Sequence, residues 1–330
     1  MKILVGIDGS SAAQAALDLV ARLAWPDDTH LRIVEVVETE PDLFRTWPAM
    51  AYSRADDLEK EFVHSAVVSL EAARRRLRDT GLAIDTEILR GRPAEAILAD
   101  ARREGADLIV VGSRGHGTLE AMLLGSVSAE IVSRSTVPVL VVRSATADRA
   151  VLAWDGLPAA QAALQLIETW PLFRHANVRV ASVVDAGPWW ATMPPVVPAE
   201  TTLLFEEASI EARQLAESGV ATAASRLRAA GLAADEAVLE GDPAPELITC
   251  ARRWNADLVV TGTHGRHGLA GLVLGSVART LVLHSPTSVL VVPTPASASR
   301  GDGDTRPTSA ARPADGPDGP RQPGPPARVR

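Results

Sequence analysis

Short, nearly unbroken apolar runs alternate along this chain with longer stretches in which apolar residues recur every three or four positions. In the first half the runs lie near 2–8, 31–37, 82–89, 106–112 and 137–143. Near-continuous apolar runs of that length predict parallel strands covered on both faces. Ser10 stands as an N-cap before an Ala-rich helix reaching about Ala24. Phe62, Ala66, Leu70, Ala73 and Leu77 recur at helical spacing, which predicts the buried face of a long second helix. Pro93 suits the first position of a third helix, continued by Ala96, Ile97 and Ala101. Ser126 opens a fourth, with Val127 and Ile131 on one side. Five strands joined by crossover helices predict an α/β doubly wound parallel sheet, with its ligand site beyond the C-terminal ends of the strands.

The same pattern then repeats. Ile3 to Gly9 is echoed by Val151 to Gly156, Leu31 to Val37 by Val178 to Val184, and Arg76 to Leu82 by Arg226 to Leu232. Gly91-Arg92-Pro93-Ala94 returns as Gly241-Asp242-Pro243-Ala244. The offset is 147 early and 150 later, so the second copy carries extra residues in its irregular stretch between Gly187 and Thr202. The chain reads as a tandem duplication, with domains at 1–145 and 149–293. From 294 to 330 the composition turns to Pro, Gly, Asp, Arg and Ser, which predicts a disordered tail.

One phrase stands out in both copies: a glycine, two residues, a glycine, nine residues, then Gly-Ser. It runs from Gly112 and Gly115 to Gly125-Ser126, and from Gly262 and Gly265 to Gly275-Ser276. Each copy leaves an apolar run and feeds a helix-like stretch. Glycines let backbone approach an anion closely, and the first N–H groups of a helix point at it. Ser126 and Ser276 read as phosphate-contacting hydroxyls or as plain helix N-caps. Arg114 and His116 in the first loop, and His264, Arg266 and His267 in the second, place cations where phosphate oxygens would lie, or are exposed loop charges. Asp8 and Asp155 end the first strand of each unit. Either could accept from a nucleoside or cap the following helix.

Composition narrows the function classes. A net charge of −8 speaks against nonspecific nucleic-acid binding. No apolar stretch is long enough to span a bilayer, the N-terminus has no signal-peptide pattern, and the single Cys250 reads as a buried structural thiol. These features predict a cytoplasmic protein without membrane contact. The chain has no G-x-x-x-x-G-K-[ST] phosphate loop, no G-x-G-x-x-G turn after the first strand and no G-x-S-x-G elbow. Metal-ligand spacing beside the loops is absent as well. Trp189-Trp190 with Pro194-Pro195 reads as a lid or packing element rather than a sugar platform.

Taken together, the first strand with its aspartate, the two Gly-x-Pro-Ala turns and above all the glycine phrase resemble the universal stress protein family, and within it the tandem, ATP-binding members. The resemblance covers about residues 1–293. It implies ATP, with or without Mg²⁺, as the ligand. Gly112, Gly115, Gly125 and Ser126 would surround ribose and phosphates, and Asp8 and the Val36 backbone would hold the adenosine. Ser10, Arg114 and His116 complete that expected site. Asp155, Val183, Gly262, His264, Gly265, Gly275 and Ser276 match it in the second unit. The two are not identical: Asp8-Gly9-Ser10-Ser11 faces Asp155-Gly156-Leu157-Pro158, which removes hydroxyls and a backbone donor and predicts unequal affinity.

The function implied is that of a cytoplasmic ATP-binding regulatory protein of stress adaptation, with an unidentified protein partner and no catalytic residues. Two alternatives stand beside it, a slow nucleotide hydrolase and an interaction scaffold stabilised by nucleotide. Each unit also ends on an apolar strand, Val137 to Val142 and Val289 to Val292, with no later strand to cover it. Open apolar edges are normally paired. The expectation is an intrachain pseudo-dimer in which these two strands meet, with further homodimerisation left open.

Overall fold

The computed structural model describes residues 1–38, 55–113, 124–184, 199–263 and 274–294. The first unit runs β1 (Lys2–Ile7), α1 (Ser11–Arg22), β2 (His30–Val37), α2 (Ala55–Arg76), β3 (Ala83–Arg90), α3 (Pro93–Glu104), β4 (Leu108–Gly112), α4 (Ser126–Arg134) and β5 (Val139–Val142). The second runs β6 (Arg149–Ala153), α5 (Pro158–Thr169), β7 (Asn177–Val184), α6 (Ala199–Ala229), β8 (Ala233–Glu240), α7 (Pro243–Arg253), β9 (Leu258–Gly262), α8 (Ser276–His284) and β10 (Ser288–Val292). The expected strands and helices are all present. The tail and the Trp189-Trp190 segment lie outside the described residues.

All ten strands form one sheet in the order β3-β2-β1-β4-β5-β10-β9-β6-β7-β8. Pairing is parallel inside each unit and antiparallel only at the centre, where Val289, Leu290 and Val291 of β10 face Val141, Leu140 and Val139 of β5. The two apolar edges cover each other, as the duplication led one to expect. Ser288 secures the seam: its buried hydroxyl accepts from the backbone N–H of Arg143 at 3.0 Å and of Ser144 at 3.1 Å. The Arg143 guanidinium reaches across the seam to the Thr287 carbonyl at 3.5 Å and to the Val282 carbonyl in the last turn of α8.

Strand alternation divides the core into two layers. Ile3, Val5, Leu108, Val110, Leu140 and Val142 face one side, where α1, α2, α5 and α6 pack. Leu4, Ile109, Val111, Val139 and Val141 face the other, under α3, α4, α7 and α8. Each layer continues through the seam into the second unit, so the apolar cores merge. One expectation fails in detail. Ala66, Leu70, Ala73 and Leu77 are buried, but Phe62 is 44% exposed. The stripe advances by four, three and four residues, and the next step back from Ala66 is three, onto the half-buried Val63. Phe62 therefore lies off the buried face.

Candidate functional site

In each unit the first strand sits where the sheet order reverses: β1 between β2 and β4, β6 between β7 and β9. The connections leave these neighbours in opposite directions, and in doubly wound sheets ligands bind beyond the C-terminal ends of the strands at such a point. Most of the predicted site residues that the structure describes gather around it. Asp8 follows β1, and its Oδ1 accepts from the Ser10 N–H at 3.0 Å. Asp155 follows β6 and accepts from the Leu157 N–H at 2.9 Å. Both form Asx turns, with Gly9 and Gly156 inside them at φ 79 and 77. An ionised carboxylate has about four acceptor sites, so ordering the turn and receiving a nucleoside donor are compatible roles. Ile7 pairs with Glu35, which sets Val36 beside Asp8 at the penultimate position of β2. Val183 holds the same place on β7.

Ser10 is buried and caps α1, its hydroxyl accepting from the Ala13 N–H at 3.2 Å. The second unit lacks that cap: Leu157 offers no side-chain bond and Pro158 begins α5. Gly112 is required by packing. A Cβ there would stand 2.7 Å from the Ala12 carbonyl carbon and 2.9 Å from the Ala13 nitrogen, so only glycine lets β4 run under the first turn of α1. At Gly262 the corresponding approach is 2.5 Å to the Ala159 Cβ.

Beyond β4 the chain returns to its own starting point. The Ser113 N–H donates to the Val142 carbonyl at 3.0 Å, and the Gly125 N–H donates to the Ser113 carbonyl at 2.8 Å. Thr263 repeats this with Val292 at 2.9 Å and with Gly275 at 2.6 Å. The N-termini of α4 and α8 are thereby fixed against the ends of β4 and β9. Their N-caps are Gly125 and Gly275, which supply no side-chain acceptor. Ser126 and Ser276 are the first helical residues and are exposed, which corrects the N-cap alternative for these serines. A helix whose first turn lacks a side-chain cap presents N–H groups with no intrahelical partner and the positive end of its dipole. Gly-Ser at this position adds a hydroxyl without blocking access. The arrangement suits a phosphate.

Ser128 was not foreseen from sequence. Its buried hydroxyl donates to the Gly112 carbonyl at 2.7 Å and ties α4 to β4, whereas the second unit has Ala278 there. Only a contact sixteen residues distant reveals this role. Arg114, Gly115, His116, His264 and Gly265 lie outside the described residues.

Perturbed titration lies elsewhere, near the N-terminal ends of the strands. The Arg32 guanidinium donates to the buried Asp100 at 2.8 Å, and this bond holds its pKa above the ordinary arginine value. In the second unit Cys250 occupies the place of Asp100. Arg179 turns to Asp235 at 2.8 and 2.6 Å and stacks over Trp254, as Arg149 also does. Burial pushes the Cys250 thiol up, against the pull of Arg179, in keeping with a structural role. Among the described residues no group of three or more His, Cys, Asp or Glu could hold a metal, and no helix is long and apolar enough to cross a membrane.

The chain matches the Universal stress protein family twice, over residues 1–143 and 146–293. A universal stress protein of Mycolicibacterium smegmatis is 32% identical over 308 residues, covering 88% of this chain and 96% of the relative. The universal stress protein YxiE of Bacillus subtilis is 36% identical over 145 residues, which is 98% of its own length and 43% of this chain. The crystal structure of a universal stress protein from Archaeoglobus fulgidus shares the fold, with TM-score 0.61 and 18% identity over 89% of this chain and 98% of that one. With the whole of both α/β units matched, the chain belongs to the universal stress protein family and is a tandem member of it.

Proposed function

We propose that this protein is a cytoplasmic, ATP-binding regulator of stress adaptation, with one nucleotide site in each unit. The observation that carries the reading is the duplicated pair of helix N-termini, at α4 and α8, pinned at the switch point behind Gly-Ser and left without a side-chain cap. Both units keep this geometry although much of the sequence between them has diverged. Phosphates would lie at these N-termini. Ser126 and Ser276 would donate to phosphate oxygens, Asp8 and Asp155 would receive the nucleoside, and Val36 and Val183 would offer backbone groups to the base. Arg114, His116 and His264 supply nearby cations in the sequence, and Gly115 and Gly265 allow close approach. Mg²⁺ would arrive on the phosphates of the bound nucleotide. The stress role rests on family membership. A regulatory protein that senses nucleotide needs a partner, whose identity is open.

Gly125 and Gly275 have extended backbone angles, φ −64 with ψ 147 and φ −59 with ψ 154, which valine adopts without strain. Replacing both places branched side chains at the helix N-termini without backbone strain, and an unchanged far-UV circular dichroism spectrum serves as the folding control. Saturating ATP, at about a hundred times its dissociation constant, adds about 2.7 kcal/mol to the native chain. At roughly 2–4 °C per kcal/mol this raises the thermal midpoint by several degrees. The double variant should show no such shift. An undiminished shift would place the nucleotide elsewhere.

A further inference from the structure

The strands β3 and β8 terminate the ten-stranded sheet on opposite sides, and the duplication makes them counterparts. Their surroundings differ. Beside β3 lies an open groove of about 440 Å³, lined by Glu71, Arg74, Arg75 and Arg78 and floored by Leu82 and Ile84. All three arginines are exposed on a chain whose net charge is −8. Arg75 is only 3.9 Å from Glu71, and Arg74 and Arg78 make no ion pair among the described residues. The neighbouring Arg76 is different: it pairs with Asp18 at 2.5 Å and belongs to the helix packing, as its counterpart Arg226 does with Glu168.

At the offset of 150 that equates Leu77 with Leu227, Arg74 corresponds to Ala224, Arg75 to Ser225, Arg78 to Arg228 and Ile84 to Ala234. In the second unit Ala224 and Leu232 are buried, whereas their counterparts Arg74 and Leu82 are exposed and half-buried. Arg228 lies along β8, donating to the Ala234 carbonyl at 2.9 Å and to Glu236 at 2.9 Å. That guanidinium occupies edge backbone which another strand would need. Arg228 thus covers part of the β8 edge, whereas among the described residues no strand or side chain covers the edge of β3, and Arg74 and Arg78 beside it make no ion pair. Folding needs neither Arg74 nor Arg75, because the second copy folds without them. An apolar floor beside open strand backbone, under a row of cations, suits an extended polypeptide better than a compact anion.

We propose that the edge of β3 is a docking site for an extended, acidic segment of a partner protein, added to the sheet as an eleventh strand. Backbone pairing would supply affinity, and alternate side chains specificity. On the α2 face of the added strand acidic residues meet Arg74, Arg75 and Arg78. On the opposite face, where Asp85 and Glu87 surround Arg32, neutral residues are preferred. This surface lies at the outer margin of the first unit, and its occupancy does not depend on the nucleotide reading.

The test uses the full chain and a fluorescent octapeptide of alternating glutamate and valine, followed by anisotropy and by amide hydrogen exchange across residues 83–90. Binding should weaken with salt, slow exchange in β3 but not in β8, and be lost by about tenfold or more in Arg74→Ala/Arg75→Ser. That variant installs the residues of the second unit, so its native thermal midpoint serves as a folding control. A lysine–valine peptide should not bind. No binding by the glutamate peptide, or binding unaffected by the double substitution, would overturn the proposal. So would equal, arginine-dependent competition by tripolyphosphate or by single-stranded oligonucleotide, which would mark a simple polyanion patch.

Discussion

Replacing Asp100 with alanine tests the electrostatic reading of the first unit. The Asp100 side chain is 1% exposed and accepts from Arg32 Nε at 2.8 Å and from Arg103. Removing one partner of a buried ion pair usually costs about 3–5 kcal/mol, because the remaining charge stays desolvated. Here Arg32 keeps two other carboxylates, Asp85 and Glu87, which are about half-exposed and therefore screened. Both remain on the guanidinium, so the lower end applies, about 3 kcal/mol. For a chain of this size that lowers the thermal midpoint by roughly 6–12 °C. The loss should persist at high salt, since the pair is shielded from mobile ions. The second unit supplies the control. Cys250 stands in the same place without charge, and Arg179 is already satisfied by Asp235, so Cys250→Ala should cost only about 1 kcal/mol for its small buried side chain. Urea denaturation of both variants measures the difference. Equal costs, or a cost below about 1 kcal/mol for Asp100→Ala, would refute the reasoning.

Alanine at Gly112 or Gly262 should destabilise by about 3 kcal/mol or more, because the clash is with backbone and cannot be relieved by a rotamer change; chemical denaturation gives the value. Ser288→Ala strands the N–H groups of Arg143 and Ser144 and should cost about 2 kcal/mol at the seam, read in the same way. Residues 1–145 expressed alone expose β5 and should dimerise or aggregate; sedimentation showing a stable monomer at high concentration would contradict the seam's role. Cys250 should resist alkylation until the chain unfolds. Its folded pKa is raised, so the neutral thiol contributes stability below the ordinary thiol range and loses it as pH climbs above; a Cys250→Ala variant should lose that alkaline slope.

Much of the architecture was legible in the chain because it is written in local pattern. Near-continuous apolar runs located all five strands of the first unit to within two residues, and Ser10 announced the start of α1. The third run, interrupted by Asp85, Thr86 and Glu87, nevertheless forms the edge strand β3 with alternating exposure rather than a strand covered on both faces. The duplication, once noticed, implied that two open edges would meet. What could not be read depends on contacts between distant segments. The packing requirement at Gly112, set by the close approach of Ala12, reflects one such contact. Ser288 carries no sequence signal of its role, yet its hydroxyl anchors the seam. Cys250 seemed an isolated thiol until the fold set it in the place of Asp100. Phe62 fitted the helical period one residue out of phase, an error that spacing allows because steps of three and four alternate.

The most direct test of the central claim is to denature the freshly purified full chain and quantify the released nucleotide by mass spectrometry against protein concentration. Two intact helix N-termini predict ATP at up to two molecules per chain, biased toward the first unit, where Ser10 and Ser128 order the site and Leu157 and Ala278 replace them in the second. Gly125→Val should then remove the larger share of the bound ATP. A chain that carries no adenine nucleotide and takes up none on incubation with millimolar ATP would contradict the account.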